Sequence, residues 1–184
     1  MPKLPKELEK AVLSLPSKDK DKLLIKLIGK SELLIQQLHF QLLEDESDLK
    51  IKREEIRNSI LRISKMYHDT PGWMMMDMRE LNGRITHHVK VTKDKYGEVE
   101  LTLYLLNSFF QNQLTHLEYY SGKTDSIALY IAKRTEFILN KLPKLHPDYY
   151  VEFERDINKL LENVHNYCPS FYAKQLMIAK NWEY

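Results

Sequence analysis

Cysteine and glycine are two residue types of which this chain has very little. Cys168 is the single cysteine among 184 residues. It has no second thiol for an internal disulfide, so we expect a protein of a reducing compartment. Five glycines are few for the tight turns of an all-β fold or for a glycine-rich loop that cradles phosphate. This scarcity favours helices.

Long apolar runs are also missing. No uninterrupted stretch approaches the roughly 20 residues that cross a bilayer, and the first residues lack the apolar segment of a signal peptide. Lys and Arg number 28 against 26 Asp and Glu, and the resulting net charge of +2 gives no general attraction to nucleic acid or anionic lipid. We therefore expect a soluble, cytoplasmic protein that does not contact membranes.

The apolar residues that are present recur with the period of an α-helix. Between Gly97 and Gly122 they form one stripe, spaced three or four residues apart: Val99, Leu103, Leu106, Phe110, Leu114 and Leu117. Other segments have similar stripes between start and stop signals. Thr70 followed by Pro71 is typical of a helix start, because proline lacks an amide hydrogen that the first turn does not need. We expect further helices elsewhere, the last of them from Phe171 to Trp182.

These segments predict an all-α fold of about seven to nine helices. Because the connections are short, we expect a compact bundle of antiparallel helix hairpins, with a short irregular stack of helix pairs as the alternative. A single domain over residues 1–184 is expected, in which the short helices of 1–45 pack on a long-helix bundle of 47–184. Residues 85–103 also alternate with period two around a turn, which is typical of a β-hairpin. We favour helix there, because the helical pattern extends beyond both putative strands.

Few residues have the spacing that catalysis or metal binding needs. Glu162 and His165 form the one Glu-x-x-His, whose two side chains can reach one metal, but bundles with two metals need a second copy. His88 and His116 could join them only if the fold brings three helices together. A metal-dependent helical-bundle enzyme is therefore an alternative. We assign no catalytic residue and no cofactor, because a phosphate loop, a nucleophile elbow and a cysteine pair are all missing.

The fourth predicted helix has a basic side. Lys50, Arg53 and Arg57 line it, and a stripe of cations is what phosphate binding requires. Acidic residues interrupt this stripe, and no set of aromatic residues for base stacking accompanies it. A solvated charged face is the simpler interpretation, and a nucleic-acid-binding accessory protein is a second alternative.

The segment from Trp73 to Met78 has the most unusual composition in the chain, with four methionines in six residues. The simpler interpretation is that Trp73, Met74 and Met78 belong to the core and that the others pack under a neighbouring helix. Methionines on every side of a helix start cannot all point into one core, however, and their flexible thioethers suit surfaces that accept varied apolar partners. The eleven tyrosines also suit half-buried interfaces. Our preferred interpretation is a non-enzymatic interaction or scaffold module that binds another protein through Trp73, Met75 and Met76. Association of the chain with itself is left open.

Overall fold

The computed structural model describes residues 4–183, and the chain divides into two compact units between Asp45 and Glu46. Within the described residues the secondary structure is helical and contains no strand, which confirms the all-α prediction. The helices are α1 (Lys6–Ser14), α2 (Ser17–Ile28), α3 (Glu32–Leu43), α4 (Glu46–Ser64), α5 (Pro71–Thr92), α6 (Lys95–Asn112), α7 (Asp125–Lys141), α8 (Tyr150–Asn166) and α9 (Ser170–Gln175).

The first unit contains α1, α2 and α3. Ser31 caps α3 by accepting a hydrogen bond from the backbone N–H of Leu34 at 3.3 Å, which is the usual role of serine at this position. None of the described residues in these three helices is buried. The expectation that this unit packs on the rest of the chain stays a prediction.

The second unit is a bundle with α6 at its centre. Helices α4, α5, α7 and α8 all contact α6, and its buried residues lie around its whole circumference rather than along one stripe. Leu101, Leu103, Leu105 and Phe109 are each at most 2% exposed. A helix that is apolar all round belongs in the centre of a bundle.

The central position of α6 explains why the β-hairpin alternative for residues 85–103 was wrong. These residues belong to the end of α5 and the start of α6. Buried side chains at Val99, Leu101 and Leu103 alternate along the sequence because the helix is buried on several sides, so the period of two does not reflect a strand. The turn between the helices passes through Lys93, whose φ of 61° ends α5 in the left-handed region.

The end of α6 also differs from the prediction, which extended this helix to the Ser121-Gly122 pair. The helix ends at Asn112, and residues 114–116 form a single 3₁₀ turn. The side chain of Gln113 reaches the end of α4, where it donates hydrogen bonds to the backbone carbonyls of Ser64 at 2.8 Å and Met66 at 2.7 Å. These carbonyls at the end of α4 need partners, so tertiary contacts end α6 early. Leu117 is nevertheless fully buried, as its place in the stripe predicts.

The terminal helix is shorter than the predicted Phe171–Trp182, since α9 ends at Gln175. Met177 adopts a left-handed φ of 50°, and the N–H of Ile178 reaches back to the carbonyl of Ala173 at 2.9 Å. This is the Schellman arrangement that closes a helix, and the buried side chains of Ile178 and Ala173 complete it. The residues after Ile178 therefore continue as a tail outside the helix, with a bend at Lys180 and Asn181.

Candidate functional site

An exposed apolar surface lies where α4 turns into α5, and we call it the α4–α5 surface. It consists of Met66, Tyr67, Trp73 and Met76, whose exposed fractions are 48%, 86%, 60% and 56%. These four large apolar side chains lie within eleven residues of one another along the chain, and exposed apolar side chains that cluster are typical of contact surfaces. No signal in the sequence indicated Met66, and the apolar stripe of the fourth predicted helix included Tyr67. That placement was wrong, because α4 ends at Ser64 and Tyr67 is 86% exposed.

The methionine-rich segment divides between this surface and the core. Met74 and Met78 are fully buried, and Met75 is half-buried and packs against the core. Trp73 and Met76 face outward. Of the three predicted partner-binding residues, Trp73 and Met76 therefore lie on the α4–α5 surface, and Met75 lies partly beneath it.

Hydrogen bonds from side chains of the bundle fix the backbone of the turn between α4 and α5. Gln113 bonds the carbonyls of the last turn of α4, as described above. The Nε2 of His116 donates to the carbonyl of His68 at 2.8 Å, and the Nε2 of His68 lies 3.0 Å from the Oδ2 of Asp77. The ring of His68, which is 4% exposed, also packs near that of Phe109, with 6.0 Å between the ring centroids. The surface is thus presented on a backbone fixed at several points.

A buried ion-pair network joins α4, α5 and α6. The side chain of Asp94 is 3% exposed, and its two oxygens accept bonds from Nε and Nη2 of Arg53, each at 2.6 Å. The Nε2 of His88 lies 3.0 Å from Oδ2, and the N–H of Gly97 donates to Oδ1 at 2.8 Å. Asp94 is therefore both the N-cap of α6 and the buried counter-charge of the Arg53 guanidinium, whose side chain is partly buried at 21% exposure.

The hydrogen bonds of this network control the ionisation of Asp94. Burial by itself would raise the pKa of the carboxyl, but the bonds from His88, Arg53 and the Gly97 N–H outweigh burial and hold the pKa well below its ordinary value. The pKa of Arg53 is raised, because the attraction of Asp94 exceeds the effect of burying the guanidinium. Both groups are therefore charged in the folded protein.

The three residues of the predicted basic face are not equivalent in the structure. Lys50 is exposed, but Arg53 is bound to Asp94. Arg57 forms an ion pair with Glu100, and its guanidinium stacks over the ring of Tyr104 at 4.1 Å. Two of the three charges are thus compensated within the chain, which weakens their attraction for phosphate.

The residues of the metal alternative lie at different places in the bundle. His88 is buried beside Asp94, and His116 is bonded to the carbonyl of His68. Glu162 and His165 are on α8, where the Nε2 of His165 lies 3.1 Å from the carbonyl of Ala179. Within residues 4–183, no three His, Cys, Asp or Glu side chains are placed to hold a metal ion together.

Cys168 is a core residue. Its side chain is 1% exposed, and burial raises the pKa of its thiol to about 12. The thiol is therefore protonated near neutral pH, and such a thiol is a poor nucleophile. Cys168 thus packs as a small apolar residue of the core.

The fold and these surfaces define the class of the molecule as an all-α helical bundle. In the part of the chain that the structure describes, no helix combines the length and the apolar character needed to cross a membrane. Comparison of the chain with protein-family models, with curated proteins and with solved structures found no match in any of the three. Its function is accordingly inferred from the chemistry of its own surfaces.

Proposed function

We propose that this protein is a non-enzymatic interaction module that binds another protein through the α4–α5 surface. The observation that carries the proposal is the exposure of Met66, Tyr67, Trp73 and Met76 on a backbone held by buried hydrogen bonds. Trp, Tyr and Met are enriched at the centres of protein interfaces. A rigid backbone lowers the entropy that is lost when a partner binds.

Charged residues next to the surface fit the same function. Lys65 and Asp69 flank Met66 and Tyr67 along the chain, and both are exposed. An apolar centre with a polar rim is the common arrangement of protein interfaces. We infer that the partner presents apolar side chains with polar residues around them.

The first unit supports an interaction function independently. Helices of nine to twelve residues have little stability without packing, and this unit exposes many large apolar side chains. They are Leu4, Leu8, Val12, Leu13, Leu23, Leu24, Ile25, Leu27, Ile35, Leu42 and Leu43. A partner or a second copy of the chain that covered them would stabilise these helices.

We expect Trp73→Asp and Met76→Asp to abolish recovery of a bound protein partner. Each substitution places a charge in the middle of the apolar contact, where desolvating it is costly. The measurement is affinity capture from extracts of cells that express the protein, with quantitative mass spectrometry of what each variant retains. Circular dichroism should be unchanged, because both side chains are exposed.

Met177→Asp is the matched control. Met177 is also an exposed methionine, at 88%, but it lies beyond α9, and aspartate tolerates its left-handed backbone. This variant should retain the same proteins as the unmodified chain. Equal recovery with all three variants would contradict the proposal that the α4–α5 surface binds the partner.

The two alternatives stay predictions, and no specific observation favours either. Arg53 and Arg57 are paired with carboxylates of the bundle, so a nucleic-acid interface on α4 would depend mainly on Lys50. The metal alternative would need His88 and His116 to leave their present hydrogen bonds.

A further inference from the structure

A cleft of about 620 Å³ lies between α8 and the residues from Lys174 onward. Its lining is unusually basic. One carboxylate, that of Glu162, and the imidazole of His165 face four cationic side chains: Arg155, Lys159, Lys174 and Lys180.

The four cations of the cleft have no partners within the described part of the chain. None of them forms an ion pair or a hydrogen bond through its side chain there, in contrast to Arg53 and Arg57 of the same bundle. Like charges that line one concavity repel one another and raise the local concentration of anions. An anion bound in the cleft would therefore relieve the repulsion between these four cations.

The tail that forms one wall of the cleft is tied to α8. The backbone N–H of Trp182 donates to Oδ1 of Asn158 at 2.8 Å, and Nδ2 of Asn158 lies 3.4 Å from the carbonyl of Trp182. The bond between His165 and Ala179 ties a second point. Because these contacts fix the tail, the chain itself holds Lys180 near the cations of α8.

We propose that this cleft binds a small, multiply charged, phosphate-bearing anion. Lys and Arg are the side chains that recognise phosphate oxygens. The volume of the cleft lies in the range of about 300–1,000 Å³ that is usual for small-molecule sites, and its four cationic side chains favour an anionic ligand over an uncharged one. A metal cation is disfavoured here, because four positive side chains surround the Glu162 and His165 pair.

A compact ligand fits the surroundings better than an extended nucleic-acid strand. Exposed carboxylates of Glu154 and Asp156 stand on either side of Arg155 along α8, and they would repel a long polyanion. Among the described residues that line the cleft none is aromatic, so bases would have no surface there on which to stack.

The test is calorimetric titration of the full chain with sodium tripolyphosphate at low ionic strength. We expect saturable binding at one site. Lys159→Ala and Lys174→Ala should each weaken it roughly fivefold to tenfold, which is the usual effect of losing one charge-assisted bond. Lys133→Ala removes an exposed lysine of α7 instead and should leave the affinity unchanged.

Glu162→Gln should change the affinity for tripolyphosphate in the direction opposite to that of the lysine variants. Removing the carboxylate of Glu162, the one carboxylate among the described lining residues, should strengthen tripolyphosphate binding about threefold or more, because it opposes the anion. Glu55→Gln, at an exposed carboxylate of α4, should have no effect. Both glutamine variants retain the shape of the side chain, so their folding is not at issue.

Further titrations distinguish the sources of the phosphate. A nucleoside triphosphate that competes with tripolyphosphate identifies a nucleotide as a ligand of the proposed kind. A single-stranded oligonucleotide that binds more tightly per phosphate would overturn the inference of a compact ligand. Absence of saturable tripolyphosphate binding, or equal weakening by Lys133→Ala and Lys159→Ala, would overturn the proposed site.

Discussion

Replacing Asp94 with alanine is expected to lower the free energy of unfolding by about 3–5 kcal/mol, the usual effect of removing one partner from a buried ion pair. The substitution leaves the Arg53 guanidinium without its counter-charge and removes the bond that His88 makes. It also removes the N-cap of α6 at the Gly97 N–H, and α6 is the central helix of the bundle. Urea denaturation followed by circular dichroism measures the loss.

Asp69→Ala is the control for this prediction. Asp69 is exposed and makes no side-chain contact within the described residues, so its replacement should change stability by no more than about 0.5 kcal/mol. The double variant Arg53→Met, Asp94→Leu should be more stable than Asp94→Ala, because it leaves no buried charge without a partner. Equal stability of Asp94→Ala and Asp69→Ala would show that the network does not stabilise the bundle.

The lowered pKa of Asp94 predicts a dependence of stability on pH. The carboxyl has a pKa near 3.9 in an unfolded chain and a lower one in the fold. Its contribution is therefore fully present above the unfolded value and is lost as the pH falls towards the folded value. In denaturant titrations, the stability difference between the unmodified chain and Asp94→Asn should shrink below about pH 4. A difference that grows on acidification would contradict the assignment.

Replacing Gly97 with alanine is expected to destabilise the protein by about 2–3 kcal/mol, as overpacking of a close-packed site does. A Cβ at this position would overlap Oδ2 of Asp94 and lie 2.9 Å from Nε of Arg53. These atoms belong to a buried ion pair with short bonds and cannot move apart freely. The glycine is therefore required by the close approach of the ion pair to the first turn of α6. Chemical denaturation measures the loss.

Gly83→Ala is the comparison variant, and it is expected to change the free energy of unfolding in the opposite direction. Gly83 lies inside α5, where an added Cβ would meet nothing within 4 Å. Alanine should stabilise this helix by up to about 1 kcal/mol, because it restricts the unfolded chain more than glycine does. If Gly97→Ala stabilised the protein as much as Gly83→Ala, the close packing around the Asp94 carboxylate would be refuted.

The two proposed binding regions can be observed separately because each has one tryptophan nearby. Trp73 belongs to the α4–α5 surface, and Trp182 is bonded to Asn158 at the wall of the cleft. In a Trp182→Phe variant the fluorescence reports partner binding alone, and in a Trp73→Phe variant it reports the cleft. Failure of one proposal therefore leaves the test of the other intact.

Local patterns predicted the helices and much of the core. The side chain of Thr70 caps α5 ahead of Pro71, as the residue pair predicts, and the stripe of α8 is buried at Phe153, Ile157 and Val164. These features depend on residues a few positions apart, whose relative placement is set by the geometry of the helix itself. A single sequence contains that information directly.

Contacts between distant residues were not predictable in the same way. Arg53 and Asp94 are 41 residues apart, and nothing in the spacing of charges along α4 indicates that one arginine is buried in an ion pair while Lys50 is exposed. The basic cleft combines Arg155 and Lys159 with two lysines beyond α8, which the sequence shows only as scattered surface charges. Asp94 could have been recognised as a helix cap, but its role as a buried counter-charge could not.

The amino-acid sequence by itself determined that this chain forms helices, and it indicated core residues such as Leu117, because apolar periodicity marks the face of a helix that packs. Only the tertiary structure decided where α6 ends, which methionines face outward and which cations are neutralised. The physical reason is that helix formation follows from interactions within a few residues. Hydrogen bonds such as those of Gln113, and ion pairs such as that of Asp94, form only when separate helices meet.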